Sequence, residues 1–193
     1  LRAGIGDAIA KTFEAAGCAA GTGLTTLGTR PLRIGGVIAT AAHDVLRQHA
    51  VGGLAACERH EVTPDVEAVV EAVVLLSGLG FENGGLSLAH SLTRGLMQAR
   101  DARDALHGEQ VAWAALVQRV AEGADPGEVD ELRGFLRAAD LPESLPGLGM
   151  TDPTETELRD IARLTMTAPN LANLAVPVTE DDVLAAIRVV EAG

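Results

Sequence analysis

Three side chains in this sequence carry donor atoms of the types that a metal centre uses. They are the carboxylate of Asp7 and the imidazoles of His90 and His107, at successive spacings of 83 and 17 residues. An Asp/His/His set matches the ligand class of a catalytic zinc, which commonly takes three protein side chains and leaves a fourth position for substrate or water. Each candidate sits in a distinctive run: Gly4-Ile-Gly-Asp-Ala-Ile9, Leu76-Ser-Gly-Leu-Gly-Phe-Glu-Asn-Gly-Gly-Leu-Ser-Leu-Ala-His90, and Ala105-Leu-His-Gly-Glu-Gln-Val111. Each also has a plainer reading. His90 on an apolar helix suits a hydrogen-bonded structural histidine, His107 a helix-entry residue, and Asp7 an acid facing a helix dipole. The residues alone leave both readings open.

The other polar residues offer less. His43, His49 and His60 lack a tight ligand spacing such as HxxxH and read as surface or rim residues. Gly78, Gly80, Gly84 and Gly85 miss the G-x-G-x-x-G spacing and follow a helix rather than the strand that a dinucleotide fingerprint requires. No serine stands in a nucleophile elbow. Glu180-Asp181-Asp182 is explained as a helix start. Cys18 and Cys57 form no CxxC motif and read as free thiols in a reducing compartment.

The elements that position these residues read as helices. Ile5, Ile9 and Phe13 recur every four residues, predicting a helix over 7–16 that stops at Gly17. A long helix is expected from Pro31 to Leu46 or beyond, with a break or kink at Gly52-Gly53. Thr63-Pro64-Asp65 reads as an N-cap followed by a first-turn proline and acid, opening a helix that ends near Gly78. Further helices are expected over 86–98 and 111–120, after Asp125-Pro126, over 154–166, and after Thr179. Residues 169–177 read as a loop. Alanine, leucine and valine dominate, hydrophobic residues make up 47% and aromatics only 2%, a balance that favours helix over sheet. The fold class is therefore all-α, a bundle of about eight or nine helices with short connections.

Charge narrows the partners. The formal net charge is −12, and Lys11 is the only lysine, so a nucleic-acid partner is excluded by repulsion. No stretch of about 18 apolar residues free of charge is present, so no membrane span is expected; the chain reads as a soluble, cytoplasmic protein.

Taken in order, the three runs resemble the glycerol dehydrogenase branch of the iron-containing (group III) alcohol dehydrogenase family. Gly4 to Glu14 is similar to its acidic-ligand motif, Leu76 to His90 to its central signature, and His107 to Ala112 to its second histidine motif; the likeness continues to Pro177–Ala186. The resemblance implies that Asp7, His90 and His107 bind the metal and act in catalysis. It implies a fold like the helical C-terminal domain of dehydroquinate synthase-like and group III alcohol dehydrogenases. Residues 1–193 would form a single helical metal-binding and substrate domain, with the NAD-binding N-terminal domain of the family outside this chain. It further implies Zn2+ and NAD as cofactors, a small alcohol or polyol as substrate, a companion NAD-binding domain, and assembly into a homo-oligomer. The chain departs from the branch at Thr93-Arg94 and Arg103–Leu106, near the expected cleft, which puts the substrate in doubt. Lys11, four residues after Asp7, stands where the iron-binding branch tends to place a histidine, favouring three-ligand zinc. Glu109 reads either as a partner of His107 or as a helix-start acid. Two alternatives are a phosphorylated-polyol dehydrogenase of glycerol-1-phosphate type and a non-catalytic helical oligomerisation fragment.

Overall fold

The structure, a computed structural model, describes all residues 1–193 and contains ten α-helices and no strand. They are α1 (Arg2–Ile9), α2 (Lys11–Ala20), α3 (Arg33–Glu58), α4 (Pro64–Glu71), α5 (Ser77–Gly84), α6 (Leu88–Leu96), α7 (His107–Ala121), α8 (Pro126–Ala138), α9 (Glu155–Thr165) and α10 (Glu180–Ala192). The all-α expectation holds. No helix is long and apolar enough to cross a membrane.

Helix starts follow the local chemistry read from the sequence. The hydroxyls of Thr63, Thr154 and Thr179 accept from the backbone N–H groups of Val66, Glu157 and Asp182, and the Asp125 carboxylate accepts from Gly127 N–H. Each bond satisfies one of the N–H donors that a helix start leaves without a partner. Pro64 and Pro126 occupy the first helical turn, where their missing N–H costs nothing.

Several helix ends differ from expectation, for one reason. Gly17 lies inside α2, which runs on to Ala20, and Gly52-Gly53 lies inside the unbroken 26-residue α3. The helix after Thr63 does not stop at Gly78. It passes through a π-helical turn, Ala72–Leu76, into α5 and ends only at Gly85, whose φ of 90° is open to glycine and costly for other residues. Gly17, Gly52 and Gly53 mark close approach rather than breakage, whereas Gly78 faces open space within the helix. A Cβ on Gly52 would collide with the Asp65 carboxylate of α4, and one on Gly17 would meet the Asn173 carbonyl at 2.9 Å. The count is ten rather than eight or nine because the helices expected over 7–16 and after Thr63 are each divided.

Helix α7 is the axis of the domain. Gly108 and Gln110 through Gln118 are all buried, so the helix has scarcely any solvent face. It packs on α1, α6, α8 and α10, and Trp113, fully buried, donates from Nε1 to Glu191 on α10 at 2.8 Å. A hydrophobic core of this kind is continuous from Ile5 and Ile9 on α1 through Leu88, Leu92 and Leu96 on α6 to Ile187 on α10.

The α1–α7 crossing sets the position of two candidate ligands. Gly6 and Gly108 face one another so closely that a Cβ on Gly6 would overlap the Gly108 carbonyl oxygen, and one on Gly108 would overlap the Ala3 carbonyl oxygen. Their neighbours in sequence are Asp7 and His107. Backbone cannot yield as a side-chain tip can, so added bulk must spread the helices. Gly108→Ala is expected to destabilise the protein by about 3 kcal/mol, read as a lower midpoint in urea denaturation.

Candidate metal centre

Asp7 lies in the last turn of α1, His90 in the first turn of α6, and His107 is the first residue of α7. Three helix ends thus converge on one point, and all three sequence-predicted residues are brought together. Asp7 Oδ1 stands 3.0 Å from His90 Nε2 and 3.7 Å from His107 Nε2. One donor atom from each residue lies within 4.8 Å of the other two. The His90 and His107 rings meet edge to face at 5.4 Å between centroids. His90 is nearly buried, Asp7 is partly exposed, and His107 is 56% exposed, so the cluster opens to solvent on the His107 side.

Two further residues adjoin the cluster: from sequence Glu14 has no assigned role, and Lys11 is marked only as standing where the iron-binding branch tends to place a histidine. The Glu14 carboxylate on α2 is fully buried, with its Oε2 2.6 Å from His90 Nδ1. Its Oε1 accepts from the backbone N–H groups of Ser87 and His90 at 2.9 and 3.0 Å. Helix α6 therefore has no local cap of its own; its orphan N–H groups are met by an acid from α2 and by Gln118 on α7, whose Oε1 accepts from Ala89 N–H and Ser87 Oγ. A carboxylate at that end also complements the helix dipole. Glu14 lies in the run that matches the acidic motif, but its partners are 73 and 76 residues away in sequence, so no local spacing signals the contact.

The second residue is Lys11, 3% exposed, whose Nζ donates to Asp7 Oδ1 at 2.8 Å and faces His90 Nε2 at the same distance. An ammonium has donors only, so the lone pair it meets on His90 is that of Nε2. The remaining ring nitrogen, Nδ1, then carries the proton and donates to Glu14. Glu14 in this way fixes the tautomer that turns the Nε2 lone pair toward Asp7 and His107.

The local electrostatics follow from burial and these partners. Burial alone would raise the carboxyl of Asp7, but the adjacent His90 ring and the charge of Lys11 outweigh it and hold Asp7 well below the usual carboxylate range. Glu14 is also held low: burial opposes its charge, while His90 and Lys11 favour it more strongly. For His90, burial disfavours the imidazolium, yet the charge of Glu14 and the carboxylates of Asp7 and Glu14 beside its two ring nitrogens raise its affinity for a proton. His107 moves the other way, lowered by burial and by the neighbouring His90.

The remaining polar candidates lie elsewhere. Glu109 accepts from Leu106 N–H at 2.9 Å, the bond of a helix-start acid. His60 is exposed; His49 is half-buried against Asp65 at 2.6 Å, and half-buried His43 meets Phe13 edge to face. Arg94 is exposed on α6. A concave surface of about 850 Å³ includes none of the three residues in its lining; it lies between α2 and the start of α3, where Thr12, Arg30, Leu32 and Thr40 line it.

Comparison with known proteins places this arrangement. No protein-family model matches the sequence. The chain is 41% identical over 162 residues to a glycolaldehyde reductase of Halobacterium salinarum, covering 84% of this chain and 44% of that protein. It is 34% identical to a glycerol dehydrogenase of Escherichia coli O6:H1, covering 99% of this chain and 52% of the relative. Among solved structures, a probable glycerol dehydrogenase from Sinorhizobium meliloti superposes with a TM-score of 0.95 at 34% identity, over 99% of this chain and 54% of that one. An iron-containing alcohol dehydrogenase from Corynebacterium glutamicum, at 16% identity and a TM-score of 0.66 over 97% of this chain and 51% of that one, shares the fold. The chain spans about half the length of the curated relatives it matches, and the part matched is their helical C-terminal portion.

Glu14 is the most sensitive point of the geometry. Glu14→Ala removes the acceptor of two buried backbone donors and of the His90 ring, and is expected to cost about 3 kcal/mol. Glu14→Gln, which keeps an acceptor for the backbone, is expected to lose less. Urea denaturation of the two variants checks the order; equal losses would show that the backbone acceptor kept by glutamine contributes nothing and that the charge and the His90 contact account for the whole effect.

Proposed function

Because the chain belongs to the iron-containing alcohol dehydrogenase family, in its glycerol dehydrogenase branch, we propose that it is the metal-binding half of a zinc- and NAD-dependent polyol dehydrogenase acting on glycerol or a related vicinal diol. The observation that carries this reading is the convergence of Asp7, His90 and His107 from three separate helix ends. Donors bonded to one zinc at about 2.0–2.2 Å stand roughly 3–3.5 Å apart; Asp7 meets His90 at 3.0 Å and His107 at 3.7 Å, and the donor types are those zinc takes. Held by these three residues, zinc would supply Lewis acidity toward a substrate hydroxyl or carbonyl oxygen.

The chain's own residues do the rest of the positioning. Asp7, ionised, offsets part of the cationic charge. Glu14 orients His90 and keeps its Nε2 lone pair forward. His107, on the exposed side, borders the approach open to a substrate. Hydride transfer requires the nicotinamide carbon within about 3–3.5 Å of the substrate carbon, and residues 1–193 contain no strand–turn–helix unit to hold a pyrophosphate. We therefore assign residues 1–193 as a single helical metal-binding and substrate domain, with NAD held mainly by a companion domain outside them. Exposed Leu24, Leu27 and Leu32 in the α2–α3 connection, with exposed Ile34 and Val37 in the first turns of α3, support a face covered by that domain or by another copy in a homo-oligomer. Two free thiols, Cys18 and Cys57, accord with a cytoplasmic location.

A second reading has a specific observation in its favour. The 41% identity to a glycolaldehyde reductase points to reduction of a small hydroxyaldehyde at the same site. The phosphorylated-polyol alternative calls for a basic cluster, but the one lysine at the centre is engaged by Asp7 and His90.

The purified protein is expected to hold about one zinc per chain and to lose it in His90→Ala; equal zinc in both would remove His90 from the site. The full-length protein is expected to oxidise glycerol or a similar diol with NAD, and His107→Ala to abolish turnover while NAD binding stays nearly intact. Faster turnover of glycolaldehyde with NADH than of any diol with NAD would select the second reading. In sedimentation at micromolar concentration the chain is expected to self-associate, and a strictly monomeric species would count against the covered face.

A further inference from the structure

We propose that Lys11 is a tethered competitor for the metal position, so that the ion at Asp7, His90 and His107 binds against an internal cation. The inference rests on the reading of those three residues as metal ligands. Its observation is the placing of the chain's only lysine: Nζ lies 2.8 Å from Asp7 Oδ1 and 2.8 Å from His90 Nε2, two atoms themselves 3.0 Å apart.

A buried ammonium needs polar partners, and Lys11 is 3% exposed. The two it contacts are two of the three proposed ligands, engaged at the oxygen and the nitrogen that would bond the ion. A zinc bonded to both at ordinary lengths lies within about 4 Å of Nζ whatever its bearing around them. A positive charge with no lone pair cannot join the coordination, and it repels a divalent ion at that range. Entry of the metal therefore requires Nζ to withdraw. The Phe81 ring, with its centroid 5.8 Å from Nζ, offers one face for the displaced ammonium.

Two properties follow. Without metal, Lys11 keeps Asp7 paired and the three helix ends assembled, so the site does not have to form around the ion. With metal, part of the intrinsic affinity is lost in displacing Lys11, because only the fraction of molecules with Nζ withdrawn is competent to bind. The centre is thus preorganised and its metal exchangeable.

The test compares the full-length wild-type protein with Lys11→Met, which keeps side-chain length without the charge, and with Lys11→Thr as a second variant should the first fail to fold. Each is stripped with a chelator and titrated with zinc against a chromogenic zinc chelator. The variants are expected to bind zinc on the order of tenfold more tightly than wild type, and to have a lower melting temperature when stripped but a larger rise on zinc addition. In wild type, zinc loading is expected to increase reductive methylation of Lys11, read by peptide mass spectrometry, a change that charge repulsion from a fixed lysine would not produce. Unchanged or weaker zinc binding in the variants, or unchanged Lys11 labelling, overturns the proposal while leaving the metal site standing. Failure of all three proteins to take up zinc overturns both.

Discussion

A buried negative charge, the carboxylate of Glu14, is the constraint around which the centre is built. Its burial in a domain of mostly aliphatic packing is strongly unfavourable unless every lone pair is used. The fold meets that demand with two backbone N–H groups at the start of α6, the His90 ring, and the nearby charge of Lys11. The same contacts tie α2 to α6, set the rotation of His90 about its own helix, and choose which ring nitrogen faces the ligand cluster. One electrostatic requirement thus serves stability and site geometry together.

Glycine supplies the other half of the arrangement. Where α1 crosses α7, Gly6 and Gly108 let backbone touch backbone, bringing Asp7 Oδ1 to 3.7 Å from His107 Nε2. Gly35 on α3 lies equally tight against Asn83 and Gly84 at the end of α5. Close-packed backbones leave little room for the helices to slide. The donor atoms are therefore held by main-chain contacts behind them and by a buried acid to one side, rather than by the flexible reach of their own side chains. Such preorganisation holds the three donor atoms in place without help from a bound partner.

The electrostatic balance of the centre differs from that of the protein. Over the chain the charge is strongly negative, −12, and most of it is solvated on helix faces. At the site two ionised carboxylates, Asp7 and Glu14, face one ammonium and two imidazoles. With neutral imidazoles the local sum is one negative charge, which favours a cation over an anion.

Much of the protein was legible in its sequence. Helix starts were readable because capping is local: Thr63, Asp125, Thr154 and Thr179 bond to N–H groups two or three residues ahead. The helical class followed from composition and from apolar residues repeating at helical spacing, and the three candidate ligands from donor chemistry set in recognisable runs. Helix ends were read less well. A glycine at Gly17 or Gly52 has the same local preferences whether it breaks a helix or admits a neighbour, and only the packing of α4 on α3, or of Asn173 on α2, decides which. The roles of Glu14 and Lys11 were hidden for a related reason. Glu14 bonds to residues 73 and 76 positions away, and Lys11 reaches a histidine 79 positions away. Spacing along the chain carries no information about such pairs. Sequence determined which side chains can do the chemistry and which segments coil; tertiary structure alone decided which charges meet, because burial and opposition across helices exist only once the helices have packed.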